Sequence, residues 1–262
     1  MIEAPCVMPL IEVVREGPEF VTLWFEGELE GFHPGRFVML WLPRLDEKPF
    51  AVSHVREGRF AVTSRRRGPF TRALMELAPG DKVGVRGPYG RGFDVREPLV
   101  VLAGGVGLAT VAPIKDQRPD AKLIFGARTR EEVLWRARFP DMTLCTDDGT
   151  EGYHGFPTDM LADWLAESRP ALVCVCGPEM MMKSAFEICE KAGVECQASV
   201  ERYMKCGFGV CGQCACDDKL ACVDGPVFGS EALRGLTEFG RTAMLKSGRV
   251  VDIGEYARYR SS

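Results

Sequence analysis

The chain has 262 residues, of which 46% are hydrophobic and 27% charged, and its net charge at pH 7 is −4. This composition is typical of globular proteins, and the lack of a basic stripe excludes nucleic acid as an expected partner. No stretch reaches the roughly 18 apolar residues of a membrane helix, and the first ten residues lack a secretion-signal pattern, so we expect a cytoplasmic protein without a membrane partner.

The first part of the chain, up to about Glu97, is rich in short β-type runs. These runs are separated by Gly, Pro, Asp and His-Pro turns, and they comprise Phe20–Phe25, Arg36–Trp41, Phe50–Ser53 and Arg59–Val62. Runs of this length and spacing predict an antiparallel barrel or sandwich. One short helix is predicted from Thr71 to Leu77, ended by Pro79-Gly80.

The pattern changes at Pro98, where continuous apolar runs begin to alternate with helical segments. The predicted buried strands are Leu99–Ala103, Leu123–Ala127, Met142–Thr146 and Ala171–Cys176, with a helix from about Pro157 to Glu167. Such alternation predicts a doubly wound α/β domain. We therefore expect an α+β multidomain chain with a barrel domain at 1–97, an α/β domain at 98–200, a cysteine-rich segment at 201–229 and a short polar tail at 230–262. In that tail, Phe239, Leu245 and Tyr256 are candidate apolar anchors for a partner.

Two glycine-containing turns follow predicted strands of the α/β domain and are candidates for nucleotide binding. Parallel strands place such turns at one edge of the sheet, where backbone N–H groups and helix N-termini favour phosphate. A tight strand-to-helix turn is the alternative for the first of them, and a plain turn for the aspartate. The candidate residues are Gly104, Gly105, Gly107, Asp147, Cys176, Gly177, Pro178 and Met181.

The ribose specificity of this site stays open on the sequence. No acidic residue follows the glycine turn at the distance expected for a contact to the ribose 2′-hydroxyl. Arg128 and Arg130 stand there instead. They are compatible with a 2′-phosphate, so NAD and NADP are both possible.

Eleven cysteines occur in the chain, and five of them lie within 17 residues. The spacing Cys206-x4-Cys211-x2-Cys214-x7-Cys222 matches the plant-type pattern in which four thiolates hold a 2Fe–2S cluster. The interspersed glycines allow the backbone to wrap closely around a small anionic core. A zinc site or four free thiols are the alternatives. Cys216 alternates with Cys214 and is left out of the ligand set.

These features, in this order, resemble the ferredoxin–NADP reductase superfamily, and within it the electron-transfer subunits of the NAD-dependent (class 1B) dihydroorotate dehydrogenases. The resemblance covers essentially the whole chain and implies that the barrel holds FAD and the α/β domain NAD(H). By resemblance the FAD-binding residues are Lys48, Pro49, Phe50, Ala51, Val52, Ser53, Thr63, Ser64, Arg65, Gly68, Phe70 and Thr71.

Two positions depart from the flavin motif of that superfamily. Lys48 stands where the motif has arginine, which keeps the charge but loses the bidentate fork. Ala51 stands where the motif has serine, and Ser53 is predicted to replace the missing hydroxyl because it lies two residues further along the same strand face.

The resemblance also implies a function. Electrons would pass between NAD(H), FAD and the cluster, and to or from an FMN-containing catalytic subunit that oxidises dihydroorotate to orotate, with two copies of each chain in the complex. The base acting on dihydroorotate would lie on that partner, so no catalytic residue is predicted here. The alternatives are the flavin/iron–sulfur subunit of a hydrogenase, a sulfide dehydrogenase or a bifurcating transhydrogenase, and a zinc-stabilised binding module without flavin.

Overall fold

The computed structural model describes residues 4–261, with side chains up to residue 259. Its N-terminal part is a closed antiparallel barrel with the strand order β1-β2-β5-β4-β3-β6. The strands are β1 (Cys6–Arg15), β2 (Phe20–Glu26), β3 (Phe37–Leu42), β4 (Asp46–Arg56), β5 (Arg59–Arg65) and β6 (Lys82–Tyr89). The predicted barrel is thus confirmed. It is filled by the apolar side chains that alternate along each strand.

One helix, α1 (Pro69–Glu76), packs into the barrel core through Phe70, Leu74 and Met75. It begins two residues before the predicted start. Gly68 caps its N-terminus and proline occupies the first turn, where the missing N–H has no helical partner to lose.

The second part of the chain is a doubly wound α/β domain, as predicted. Its elements are β7 (Leu99–Gly104), α2 (Leu108–Gln117), β8 (Lys122–Ala127), β9 (Thr143–Thr146), β10 (Tyr153–His154), α3 (Pro157–Glu167), β11 (Leu172–Cys176), α4 (Glu179–Ala192) and β12 (Glu195–Ser199). Helix α2 packs on one face of the parallel sheet, and helices α3 and α4 pack on the other. No helix of the described chain is long and apolar enough to cross a membrane.

The C-terminal residues fold back onto both domains instead of forming a polar tail. The cysteine-rich segment makes β13 (Ala215–Cys216), β14 (Lys219–Leu220) and β15 (Val227–Gly229). The segment predicted as a polar tail makes α5 (Ser230–Gly235), β16 (Thr242–Met244), β17 (Val250–Asp252) and α6 (Ile253–Ser261). Strand β15 adds an antiparallel edge to β12 of the α/β sheet. Phe239, Leu245 and Tyr256 are each at most 3% exposed. They are therefore internal core residues rather than anchors for a partner.

The barrel and the α/β domain meet through a buried polar network on β4. A register shift places Ser53 and His54 opposite the same stretch of β5. Arg138 Nη1 lies 2.6 Å from His54 Nε2, and the guanidinium also donates to Ser53 O and to Asp116. Since a guanidinium only donates, Nε2 accepts, and the ring proton sits on Nδ1, 2.9 Å from Ser53 Oγ.

This environment holds His54 neutral. Burial lowers the pKa of His54 to about 3, and the positive charges of Arg138 and Arg56 add to the lowering. Because the pKa of this histidine is lower in the folded chain, the unfolded chain binds the proton first as the pH falls. The contribution of neutral His54 to the free energy of unfolding is therefore complete above pH 6.5, and it is lost as the pH falls from 6.5 toward 3.

We expect His54→Gln to remove this pH dependence. In the wild type, the free energy of unfolding should fall by at most about 1.4 kcal/mol per pH unit below pH 6.5 on account of this one group. Denaturant titrations at pH 5.5, 6.5 and 7.5 measure the slope, with the exposed His154→Gln as the matched control. Equal slopes for wild type and His54→Gln would contradict the assignment.

Candidate functional site

The two glycine turns of the α/β domain pack directly against each other. They follow β7 and β11, which are neighbouring parallel strands. A Cβ on Gly107 would overlap the carbonyl oxygen of Cys176, and a Cβ on Gly177 would lie 2.9 Å from the backbone nitrogen of Gly104. The expectation that both turns meet at one edge is confirmed, and neither turn tolerates a side chain on its inner side.

The outer side of the first turn is open. Gly105 has φ +53°, and no atom lies within 4 Å of the position that a Cβ would take. Met181 packs behind both turns, because a Cβ on Gly104 would come within 2.7 Å of its sulfur. The outer side of this turn is therefore open to a ligand, and Met181 packs on the side away from it.

Asp147 lies at the same edge but apart from the glycine turns. It follows β9, which is separated from β7 by β8, and it is exposed. Partial burial raises the pKa of Asp147 above its ordinary value, and the charge of Arg128 opposes that rise. Arg128 itself donates to Glu132, with an Nη2–Oε1 distance of 2.6 Å. Glu132 Oε1 also accepts from Arg65 at 2.6 Å, so the two arginines share one carboxylate.

A strip of β4 carries the predicted flavin motif. Pro49 pairs with Met39, and Ala51 pairs with Phe37, so these four residues share the outer face of the barrel. Phe37 and Met39 are buried under the cysteine-rich segment, whereas Pro49 and Ala51 are only half-buried. We call this partly open surface at Pro49 and Ala51 the shelf; the cysteine-rich segment covers the strand beside it, and the α/β domain contacts the same strand β4.

Several predicted flavin contacts have side chains that are occupied elsewhere. Ser53 is fully buried, and its hydroxyl bonds to His54, Ala61 O and Thr63, so it does not replace the hydroxyl that Ala51 lacks. The side chains of Val52, Thr63, Ser64 and Phe70 are likewise at most 4% exposed. Only the backbone of these residues can face a cofactor.

The charged and polar members of the motif have partners too. Arg65 donates to Glu132 of the α/β domain at 2.6 Å, which ties the two domains together. Lys48 lies 3.0 Å from Asp46 and 5.3 Å from the ring centre of Tyr203. Thr71 accepts the N–H groups of Arg67 and Gly68 at the start of α1. Arg65 therefore acts as a clamp between the two domains.

The cysteine loop has the backbone needed to hold anionic sulfur. Gly207, Gly209 and Gly212 have φ of +86°, +88° and +69°, values that an L side chain rarely adopts. Burial raises the pKa of the Cys206 thiol, but the backbone N–H groups of Cys211, Phe208 and Val210 outweigh it and bring the pKa to about 6. The loop is therefore folded to stabilise a thiolate.

The four predicted cysteine ligands are arranged as two pairs. The thiols of Cys206 and Cys211 interact with each other, as do those of Cys214 and Cys222. The N–H of Cys222 also donates to Cys214 Sγ at 3.4 Å. Burial and the Cys214 thiol raise the pKa of Cys222 to about 12.

This pairing fits a 2Fe–2S cluster, which takes two protein ligands on each of its two irons. Within residues 4–261, the one group of three potential ligand atoms mutually within 4.8 Å is Cys216, Asp217 and Glu238. The four ligand cysteines therefore do not form a single tetrahedral cage, as a zinc site would require. Cys216 is fully buried, with its sulfur 3.1 Å from Arg202 Nη2, which agrees with its exclusion from the ligand set.

Arg86 anchors the cysteine loop to the barrel and was missed in the sequence. It donates to both carboxylate oxygens of Glu47, at 2.7 and 2.6 Å, and to the carbonyl oxygen of Cys206 at 3.0 Å. Its guanidinium also lies 5.6 Å from the ring centre of Phe208. Because the contact spans 120 residues of sequence, no local pattern reveals it.

Comparison with known proteins gives consistent results. A family model for the iron–sulfur cluster binding domain of dihydroorotate dehydrogenase B matches residues 201–234. The chain is 41% identical over 260 residues to a probable dihydroorotate dehydrogenase B (NAD(+)), electron transfer subunit, of Methanocaldococcus jannaschii, covering 95% of this chain and 99% of that one. A protein of the same name from Pyrococcus abyssi is 40% identical over 232 residues, which cover 86% of this chain and 90% of the relative.

Solved structures show the same fold. A chain of the NADH-dependent reduced ferredoxin-NADP oxidoreductase, solved in work on flavin-based electron bifurcation, is 27% identical with a TM-score of 0.78, covering 89% of this chain and 92% of that chain. The cytochrome b5 reductase domain of Ulva prolifera nitrate reductase has a TM-score of 0.60 at 19% identity, over 73% and 94% of the two chains. The second likeness concerns the fold alone.

We predict that serine substitutions separate the four ligands from the fifth cysteine. Replacement of Cys206, Cys211, Cys214 or Cys222 should abolish the cluster, because one of its two irons then lacks a thiolate. Cys216→Ser should retain the iron content of the wild type. Iron and sulfide analysis with visible absorption measures the difference, and loss of the cluster in Cys216→Ser would contradict the ligand set.

We predict that Gly107→Ala weakens NADH binding by tenfold or more. The added methyl overlaps Cys176 O and forces the two glycine turns apart. Calorimetric titration with NADH measures the affinity. Gly235→Ala is the control, because a Cβ there meets no atom within 4 Å. Unchanged affinity in Gly107→Ala would show that the paired turns do not bind the nucleotide.

Proposed function

Because the chain belongs to the family of dihydroorotate dehydrogenase B (NAD(+)) electron transfer subunits, we propose that it passes electrons between NAD(H) and a catalytic subunit that interconverts dihydroorotate and orotate. When bound, FAD exchanges a hydride with NAD(H) and electrons singly with a 2Fe–2S cluster, which carries one at a time. The chain itself supplies three adjoining binding surfaces, and the base acting on dihydroorotate would lie on the partner.

The observation that carries this proposal is the position of the shelf at Pro49 and Ala51. On one side, the cysteine loop packs on the same barrel face, with a Cβ on Gly207 reaching to within 3.1 Å of Met39. On the other side, the α/β domain is fastened to β4 through Arg138. A flavin ring bound on this shelf would lie between the nucleotide edge and the cysteine loop.

The chain's own residues hold each group in place. The N-terminus of α1 and the ammonium of Lys48 would stabilise the diphosphate of FAD, and Pro49 and Ala51 would leave room for the ring. The open backbone at Gly105 receives NAD(H). The N–H groups of Phe208, Val210 and Cys211 stabilise the thiolate of the outer ligand pair.

The partner docks, we propose, on the exposed apolar tip of the cysteine loop. Val210 is 77% exposed, and Phe208 and Val223 are 46% and 44% exposed, around the exposed ligand Cys211. Apolar side chains around an accessible cluster ligand fit a protein surface that exchanges electrons with that cluster.

We also propose that the partner carries FMN, that two copies of each chain assemble, and that the complex works in the cytoplasm. The eleven cysteines, none of which forms a disulfide, support a reducing compartment. Light scattering on the purified complex tests the stoichiometry, and flavin extraction from the partner tests its cofactor.

The principal test is reconstitution with such a partner. The chain, purified anaerobically, should show flavin absorption and a reduced 2Fe–2S EPR signal after NADH is added. Mixed with an FMN-containing catalytic subunit, it should support reduction of NAD⁺ by dihydroorotate. Fully loaded chains without that activity would contradict the assignment and favour another electron-transfer complex, such as a bifurcating one.

We predict that Val210→Glu weakens assembly with the catalytic subunit by at least tenfold. A charge at the centre of an apolar interface loses its hydration and has no partner there. Reduction of an artificial acceptor by NADH should be unchanged, since it needs no partner. Val250→Glu on the C-terminal hairpin, where Val250 is 51% exposed, is the control. Equal losses of assembly in both variants would show that the docking surface lies elsewhere.

A further inference from the structure

A buried ion pair lies between the nucleotide edge and the cysteine-rich segment. Arg202 Nη1 is 2.6 Å from Glu179 Oε2, and the two side chains are 1% and 8% exposed. Glu179 is the first residue of α4, directly after Gly177 and Pro178. Its second carboxylate oxygen accepts the N–H of Gly240 at 2.8 Å. The carboxylate is thus fixed on both sides.

The same guanidinium reaches into the cysteine-rich segment. Arg202 Nη2 lies 3.1 Å from Cys216 Sγ, and it also points to Thr242 O at 3.5 Å. Cys216 is two residues after the ligand Cys214, which is about 7 Å along an extended chain. Arg202 therefore connects the nucleotide edge, the C-terminal hairpin and a strand next to the cluster.

Stability alone does not account for this pair. Removing two charges from water costs several kcal/mol per ion in general, and buried pairs are often no more stable than apolar replacements. Among the described residues, Arg202 Nε has no hydrogen-bond partner, which adds to that cost. Charges in a buried position are, however, weakly screened and act strongly on a nearby group that changes its own charge.

We propose that Arg202 and Glu179 are positioning residues that set the reduction potential of the iron–sulfur cluster while fastening its segment to the nucleotide edge. This inference rests on the proposed function. Reduction adds one negative charge to the cluster. The positive charge of Arg202 stabilises the reduced form, the negative charge of Glu179 destabilises it, and the pair holds the two effects in balance at a fixed place.

Two variants test the balance in opposite directions. Glu179→Gln leaves the positive charge of Arg202 without its partner, so the midpoint potential of the cluster should rise. Arg202→Met leaves the carboxylate alone, so the potential should fall. Arg202→Lys keeps the charge and should restore a potential between that of Arg202→Met and the wild type. EPR-monitored redox titration measures all four proteins.

The control is Glu190→Gln. Glu190 lies on the same helix as Glu179, and this substitution removes its carboxylate from an exposed pair with Arg234 of α5. Its potential should equal that of the wild type. Shifts of the same sign in Glu179→Gln and Arg202→Met would indicate simple loosening and overturn the proposal, as would the absence of any shift. If Arg202→Met loses its iron, the potentials of the two milder variants, Glu179→Gln and Arg202→Lys, decide the outcome.

The failure of this inference is distinguishable from that of the proposed function. A wild-type chain that binds no cluster on anaerobic reconstitution contradicts the proposed function itself. A wild-type chain with a full cluster, and variants whose potentials do not move apart, contradicts only the role of Arg202 and Glu179.

Discussion

The alternation of side chains along β4 is the constraint on which the rest of the site depends. In a closed barrel every second residue must fill the interior, so Val52 points inward with the barrel core. The alternate residues of this strand, Pro49, Ala51 and Ser53, therefore lie on the outer face. Ser53 is covered by the α/β domain, and the neighbours of Pro49 and Ala51 on β3 are covered by the cysteine-rich segment. Strand β4 thereby fixes where the α/β domain and the cysteine-rich segment lie on the barrel, and where the open surface between them remains.

Arginines crossing from one unit to another hold this arrangement. Arg138 joins the α/β domain to β4, Arg65 joins β5 to the α/β domain, and Arg86 joins the barrel to the carbonyl of Cys206. Hydrogen bonds to charged groups typically contribute about 1.5–3 kcal/mol each, and the fork of arginine fixes direction as well as distance. Polar contacts of this kind fix the orientation of the units more narrowly than apolar packing does.

The C-terminal hairpin completes the enclosure of the cluster segment. Gln213 donates to Leu245 O at 2.9 Å, and the N–H of Asp217 donates to Glu238 at 3.0 Å. The inner ligand pair, Cys214 and Cys222, is buried, while Cys211 remains exposed. The cluster site is therefore buried on its inner side and accessible at the loop tip, an asymmetry that suits one internal and one external electron partner.

The sequence by itself determined the elements that depend on local rules. Strand and helix periodicity predicted the barrel and the doubly wound domain, the cysteine spacing predicted the ligand set, and the glycine turns after β7 and β11 were recognised because such turns meet at one edge. Only the tertiary structure decided which predicted side chains are free. Ser53 and Arg65 match a cofactor motif in sequence, but Ser53 is bonded to His54, which Arg138 holds from 84 residues away, and Arg65 is paired with Glu132, 67 residues away. Arg86 and Arg202 were missed for the same reason: a charge pairs with whatever the fold brings within about 3 Å, and local sequence carries no record of that distance.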